Sequence, residues 1–232
     1  MSAIIDATYE GETFEVEIFH DGHIEFPGRN LQHEQAMAEF TDSESAVLRF
    51  YNLWKESPTK VIFENLELPE NSIPRLAADY AEHILYLYEN KYRGDLRPRN
   101  AINAARKFVA GEIDRPTLEK AAWVAEAAAG RKAAGAAAAW VAEAAADSAA
   151  AAAAWAAARV AVDAADAVEA AWAAGAAARA AWAAAYNVSS EADSPEWQQA
   201  RDVEVAWQIR RFVDVMEAIG QGFDWPDMKV TP

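Results

Sequence analysis

Apolar and polar positions change their period along the chain, and the first period is two. Ile5, Ala7 and Tyr9 alternate with Asp6, Thr8 and Glu10, while Phe14, Val16 and Ile18 alternate with Glu15, Glu17 and Phe19. Alternation puts successive side chains on opposite faces of a strand, so each run predicts a strand buried on one face. Gly11-Glu12 and Asp21-Gly22 separate the runs. Asp-Gly readily takes the positive φ of a tight hairpin. The expectation is a three-stranded antiparallel meander ending near Phe26 and closed by Pro27 and Gly28.

Beyond the meander the period lengthens to that of a helix. Thr41-Asp-Ser-Glu44 has capping-box spacing, which predicts a helix start at Thr41, followed by an apolar stripe of Val47, Phe50, Tyr51 and Trp54. Ser72-Ile-Pro74 opens a second helix, with Leu76, Tyr80, His83, Ile84, Leu87 and Tyr88 at helical spacing, and this helix is expected to cover the sheet. Pro98 and Pro116 sit where a first helical turn tolerates a missing amide hydrogen, and Gly111 ends the first of these two helices. Ser194-Pro195 repeats the signal before a long last helix, on which Val203, Trp207, Phe212 and Val215 share one side and which Gly220 ends.

Between these elements lies an internal repeat. Ala-Ala-Trp-Val-Ala-Glu-Ala-Ala-Ala occurs at Ala121 to Ala129 and unchanged at Ala138 to Ala146, and Ala-Ala-Trp recurs at Ala153, Ala170 and Ala180. A shift of 17 residues in one unbroken helix would point the two tryptophans of the duplicated unit in different directions, so Gly130 and Gly135 are expected to divide the copies into separate helices. Alanine favours helix but buries little apolar area. Trp123, Trp140, Trp155, Trp172 and Trp182 are therefore expected to fill the gaps between closely packed helices.

Composition adds charge to this picture. The chain has 232 residues, 37 acidic against 21 Lys and Arg, for a formal net charge of −16. Residues 1 to 90 hold 18 acids and 5 bases, a net of −13, whereas residues 91 to 120 hold 4 acids and 8 bases, a net of +4. Direct binding to nucleic acid or to an anionic membrane is disfavoured, and a basic partner is the natural expectation. The absence of cysteine excludes disulfides, thiol catalysis and thiolate zinc sites. No secretory signal is read at the start, and the ten-residue tract from Ala149 to Ala158 is too short to span a bilayer, so a cytoplasmic protein is expected.

Candidate chemistry is sparse. His20, Asp21 and His23 flank the second turn, but hairpin geometry and the lack of a third histidine nearby favour surface residues over a metal site. His83 reads as a satisfied core histidine. With no phosphate loop, nucleophile elbow, zinc-protease pair or calcium loop, no enzyme, cofactor or metal is expected. Arg97, Arg99, Arg106 and Arg115 stand near two helix starts, where they could hold a small anion, or could bridge to Glu204, Asp202 or the acidic first segment.

The run Asp95-Leu-Arg97-Pro98-Arg99-Asn-Ala101-Ile102-Asn-Ala104-Ala105-Arg106-Lys-Phe108-Val-Ala-Gly111-Glu112-Ile113, with the later Glu204-Val-Ala-Trp207-Gln208-Ile-Arg210, resembles the Imm-five-like group of immunity proteins from bacterial toxin systems and phages. The resemblance extends from about Tyr88 to Ile219 and implies neutralisation by binding. The fold class expected is α+β: an acidic strand-and-helix domain over residues 1–90, an Ala-rich helical bundle or repeat over 91–220, and a tail over 221–232. The function expected is a non-enzymatic inhibitor of a basic toxin or defence effector, using Glu10, Glu12, Glu15, Glu17 and Glu25. Open alternatives are a nucleotide- or anion-sequestering protein using the four arginines, and a phage structural or scaffold component; homo-oligomers also stay open.

Overall fold

The computed structural model describes residues 1–41, 44–69, 72–134, 168–189, 191 and 194–220. It contains an antiparallel sheet of β1 (Ser2–Tyr9), β2 (Glu12–Phe19) and β3 (Ile24–Glu25) in the order β1-β2-β3, followed by helices, an α+β architecture. The helices are α1 (Leu31–Thr41), α2 (Ala46–Glu56), α3 (Pro58–Asn65), α4 (Ser72–Lys91), α5 (Arg97–Val109), α6 (Arg115–Ala134), α7 (Val168–Val188) and α8 (Pro195–Gly220). They form two compact units, one with Met1–Pro69 and the stretch from Ala206, the other with Glu70–Val205.

In the first unit the alternation read from the sequence becomes a two-faced sheet. Ala3, Ile5, Ala7, Phe14, Val16, Ile18, Ile24 and Phe26 are buried, while Ile4, Asp6, Thr8, Glu15 and Glu25 are exposed. Glu10 and Gly11 link β1 to β2 with φ of 49° and 84°, the left-handed pair that a two-residue hairpin with right-twisted strands requires. The second hairpin is wider. Phe19 N–H donates to the His23 carbonyl at 2.9 Å, and Gly22 supplies the positive φ of 84°. The buried Trp54 of α2 donates its indole N–H to the Gly22 carbonyl at 2.9 Å, tying helix to turn. The buried sheet face meets α2 and α3, and an aromatic cluster joins it to Phe50 of α2, whose ring lies edge-on to Phe14 at 5.2 Å and to Phe26 at 6.0 Å.

Two sequence expectations change here. The start of α2 is capped by Ser45, whose hydroxyl accepts from Leu48 N–H at 3.3 Å, whereas Thr41 ends α1 and donates back to the Met37 carbonyl. Two capping-competent residues four positions apart compete, and α1 wins the first because Asn30 caps it from the N-terminal side, accepting from Gln32 and His33 amides. The helices packed on β1 are α2 and α3, while α4 belongs to the second unit. The amphipathic stripe of α4 is satisfied there instead.

In the second unit α4 packs against α5 and α7, and α5 against α6. Large side chains of α4, among them Leu76, Tyr80, Ile84, Leu85 and Tyr88, are buried, whereas Ala177, Ala180, Ala181, Ala183 and Ala185 are buried on α7. Between α5 and α6 the core is Ala101, Ala104, Ala105, Leu118, Ala122 and Ala125, with Phe108 and Ile113 at its margin. Methyl-sized side chains let the helices approach, and one Leu fills the space the methyls leave. Pro98, Pro116 and Pro195 occupy first turns, as their lack of an amide hydrogen favours, and Gly111 follows α5 with φ of 74°.

The tryptophans depart from expectation. Trp123 is 69% exposed and Trp182 is 53% exposed, so alanine and leucine build the interior at these places. Gly130 lies inside α6 and does not end it; the second copy of the nonapeptide, Trp140, Trp155, Gly135 and the tail over 221–232 lie outside the described residues. Val203 on α8 is exposed too, and the buried side of that helix instead carries Glu204, Gln208, Phe212, Val215 and Met216.

Candidate functional site

The outward sheet face gathers carboxylates. The strand register sets Asp6 directly opposite Glu15, and Glu17 opposite both Ile4 on β1 and Glu25 on β3. Directly opposed like charges cost roughly a few tenths of a kcal/mol each, so this arrangement is not one that folding itself favours. Glu17 accepts a hydrogen bond from the Ser2 hydroxyl at 2.6 Å, and Glu25 has His23 Nε2 at 3.4 Å.

Glu10 and Glu12, at the tip of the first hairpin, are held differently. Glu10 pairs with Arg49, whose guanidinium is held above its ordinary pKa chiefly by that hydrogen bond, and Glu12 lies 3.7 Å from Arg29. The five predicted glutamates thus divide into three on the open face and two at the turn beside arginines. Asp6 was missed as a candidate because strand register, not spacing, makes it the neighbour of Glu15. His20 Nε2 lies 3.0 Å from Asp214, so the two hairpin histidines have separate carboxylate partners. Among the described residues no cluster of three or more His, Asp or Glu is arranged to hold a metal ion.

The four candidate arginines each have a carboxylate partner. Arg97 donates through Nε to Asp95 at 2.7 Å, and Asp95 also accepts from the Tyr88 hydroxyl at 2.6 Å. The Arg97 hydrogen bonds hold the Asp95 carboxyl well below the ordinary carboxylate range, while burial and Asp95 push the Tyr88 hydroxyl upward. Arg99 bonds Glu89 at 2.8 Å and Glu82 at 3.0 Å; Arg106 bonds Asp79 at 2.6 Å and also pairs with Glu82. Seven residues separate Arg99 from Arg106 and Glu82 from Glu89, close to two helical turns, so both sets project from one side of α5 and α4 and Glu82 bridges the two arginines. Burial alone would lower Arg106, but Asp79 and Glu82 raise it above its ordinary value. Arg115 pairs with Glu119 one turn along its own helix at 3.0 Å.

Asp79, Glu82 and Glu89 come from the acidic first segment, one of the expected sources of partners; Glu204, another, is engaged with His83, whose Nδ1 lies 2.9 Å from its carboxylate, with Glu204 only 4% exposed. Both stretches that carried the sequence resemblance therefore supply buried or half-buried polar contacts within the second unit.

A family model described as "Imm-5 like putative immunity protein" matches residues 67–215. The chain belongs to that family. The match begins earlier than the resemblance read from the sequence and takes in all of α4, the helix that supplies Asp79, Glu82 and Glu89 to the arginines. No curated protein and no solved structure matches the chain. No described helix is long and apolar enough to cross a membrane. As an immunity-family protein, the chain has the binding of a toxin partner as its general expectation.

Proposed function

We propose that the protein is a non-enzymatic inhibitor that neutralises a basic toxin or defence effector by covering a cationic surface with its outward sheet face. The observation that carries this reading is the opposition of Asp6 to Glu15 and of Glu17 to Glu25, a repulsive arrangement that a cationic partner would relieve. Ile4, 61% exposed on β1 opposite Glu17, offers a small apolar contact beside the charges. Glu10 and Glu12 extend the negative field at the hairpin tip. The immunity family supports neutralisation by binding, and the −16 net charge supports fast electrostatic encounter with a basic protein.

In this reading the arginines of α5 and α6 are structural. Their guanidinium groups already meet carboxylates in the geometry an anionic ligand would need, which favours inhibition over anion sequestration.

The test is co-expression with candidate basic toxins, together with association kinetics of any purified pair that forms. The wild-type chain is expected to restore growth. Glu15→Lys with Glu17→Lys is expected to lower the association rate constant by about tenfold or more at low salt. Unchanged association and protection in that double variant would overturn the reading.

A further inference from the structure

We propose that the open half of β1 accepts an added strand, an extended basic segment of the partner. This rests on the acidic-face reading for the partner's charge and adds how the partner is held.

β1 is an edge of the sheet, and its hydrogen bonds reveal which residues face outward. The Met1 carbonyl accepts from His20 N–H at 3.4 Å, on the β2 side, whereas the Asp6 carbonyl accepts from Glu67 N–H at 2.8 Å on the opposite side. The N–H and C=O of one residue in a strand point the same way and alternate along it. Odd-numbered residues of β1 therefore pair with β2, and Ser2, Ile4, Asp6 and Thr8 direct their backbone groups away from it.

The far half of this edge is covered, because Leu66 bridges to Ala7. The near half is not: among the described residues no backbone group pairs with the outward N–H or C=O of Ile4. Exposed edges are ordinarily blunted by proline, lysine or a covering loop, since an unpaired ladder templates another strand. Ser2–Tyr9 contains neither proline nor lysine. Met1 and Ile4 are 82% and 61% exposed beside the ladder.

Charge selects the occupant. A second copy of β1 pairing here would bring together two segments of net charge −13 each, and would set Asp6 against another acidic sheet. A strand with Lys or Arg at alternate positions places its cations on the outward face, beside Ile4 and Asp6 and toward Glu15, and its apolar residues on the opposite face, alongside the buried Ala3 and Ile5. Backbone ladder bonds would supply affinity and the alternate side chains specificity, the logic of strand addition.

The probe is a synthetic blocked octapeptide of alternating Lys and Val, titrated into the full chain by calorimetry and followed by amide hydrogen exchange. Exchange at the Ile4 amide is expected to slow by about tenfold or more, with little change at Ile5, which already faces β2. Ile4→Pro removes the edge donor at a position where an edge strand tolerates proline. It is expected to weaken binding by about tenfold, the loss of one or two backbone hydrogen bonds, whereas Ile4→Thr stays within about threefold. If Ile4→Pro fails to fold, exchange at Ile4 in the wild-type chain decides. Unchanged Ile4 exchange, with binding still abolished by Glu15→Lys and Glu17→Lys, overturns strand addition and leaves the acidic face standing. Absence of binding, or binding indifferent to both the proline and the charge reversal, overturns both.

Discussion

Individual charged residues differ in consequence according to burial. Asp79 is 1% exposed and pairs with Arg106, so Arg106→Ala takes a charged partner from a buried carboxylate and is expected to cost on the order of 3 kcal/mol by urea denaturation. Arg115 and Glu119 are both largely exposed, and Arg115→Ala is expected to cost under about 0.5 kcal/mol in the same assay. Asp95 gives a pH signature. Its folded carboxyl is depressed, first by the Arg97 hydrogen bonds, so its stabilisation is fully present above the ordinary carboxylate pKa of about 4 and is lost as pH falls through the lower folded value. Asp95→Asn should therefore be less stable than the wild type at neutral pH, with the gap narrowing as denaturation is repeated at progressively more acid pH. Spacing in the sequence showed that the arginines were concentrated, but the partners of Arg99 and Arg106 on α4 lie 10 to 27 residues away and needed helix packing to be seen.

At the scale of elements, punctuation was more legible than length. The prolines at 98, 116 and 195 and Gly111 mark helix boundaries that α5, α6 and α8 keep, because a missing amide hydrogen and a positive φ are local properties. Period-two alternation likewise gave both long strands and their buried faces. Capping was ambiguous, since Thr41 and Ser45 both carry a suitable hydroxyl and the neighbouring helix decides between them. Ser45→Ala is expected to lower stability by about 1 kcal/mol, and Thr41→Ala by clearly less, measured by thermal melting of the two variants. The short helices α1 and α3 carry no strong apolar period, and the Asn30 cap was the available signal for α1.

For the whole molecule, charge is the property with an experimental handle. Association with a basic partner should slow steeply as salt rises from low to about 0.5 M, because exposed charges lose their influence beyond a Debye length of a few ångströms. Wild type and the Glu15→Lys, Glu17→Lys double variant should converge at high salt in stopped-flow measurements; a difference that persists undiminished would point to lost packing instead of lost attraction. The two compact units add what composition does not carry, since no compositional signal joins the stretch from Ala206 to the sheet at the other end of the chain.

The sequence by itself determined the two-faced meander, the main helix starts, the acidic character and the family. Each of these follows from local stereochemistry, periodicity or summed charge, which need no knowledge of distant neighbours. Only the tertiary structure decided that Asp6 stands against Glu15, that α4 carries carboxylates for α5, that half of the β1 edge is unpaired among the described residues, and that Trp123 and Trp182 face outward. Those outcomes depend on register and on which faces pack together. An alanine surface presents nearly the same apolar pattern all round, so the pattern could not show which side of an indole-bearing helix would be covered.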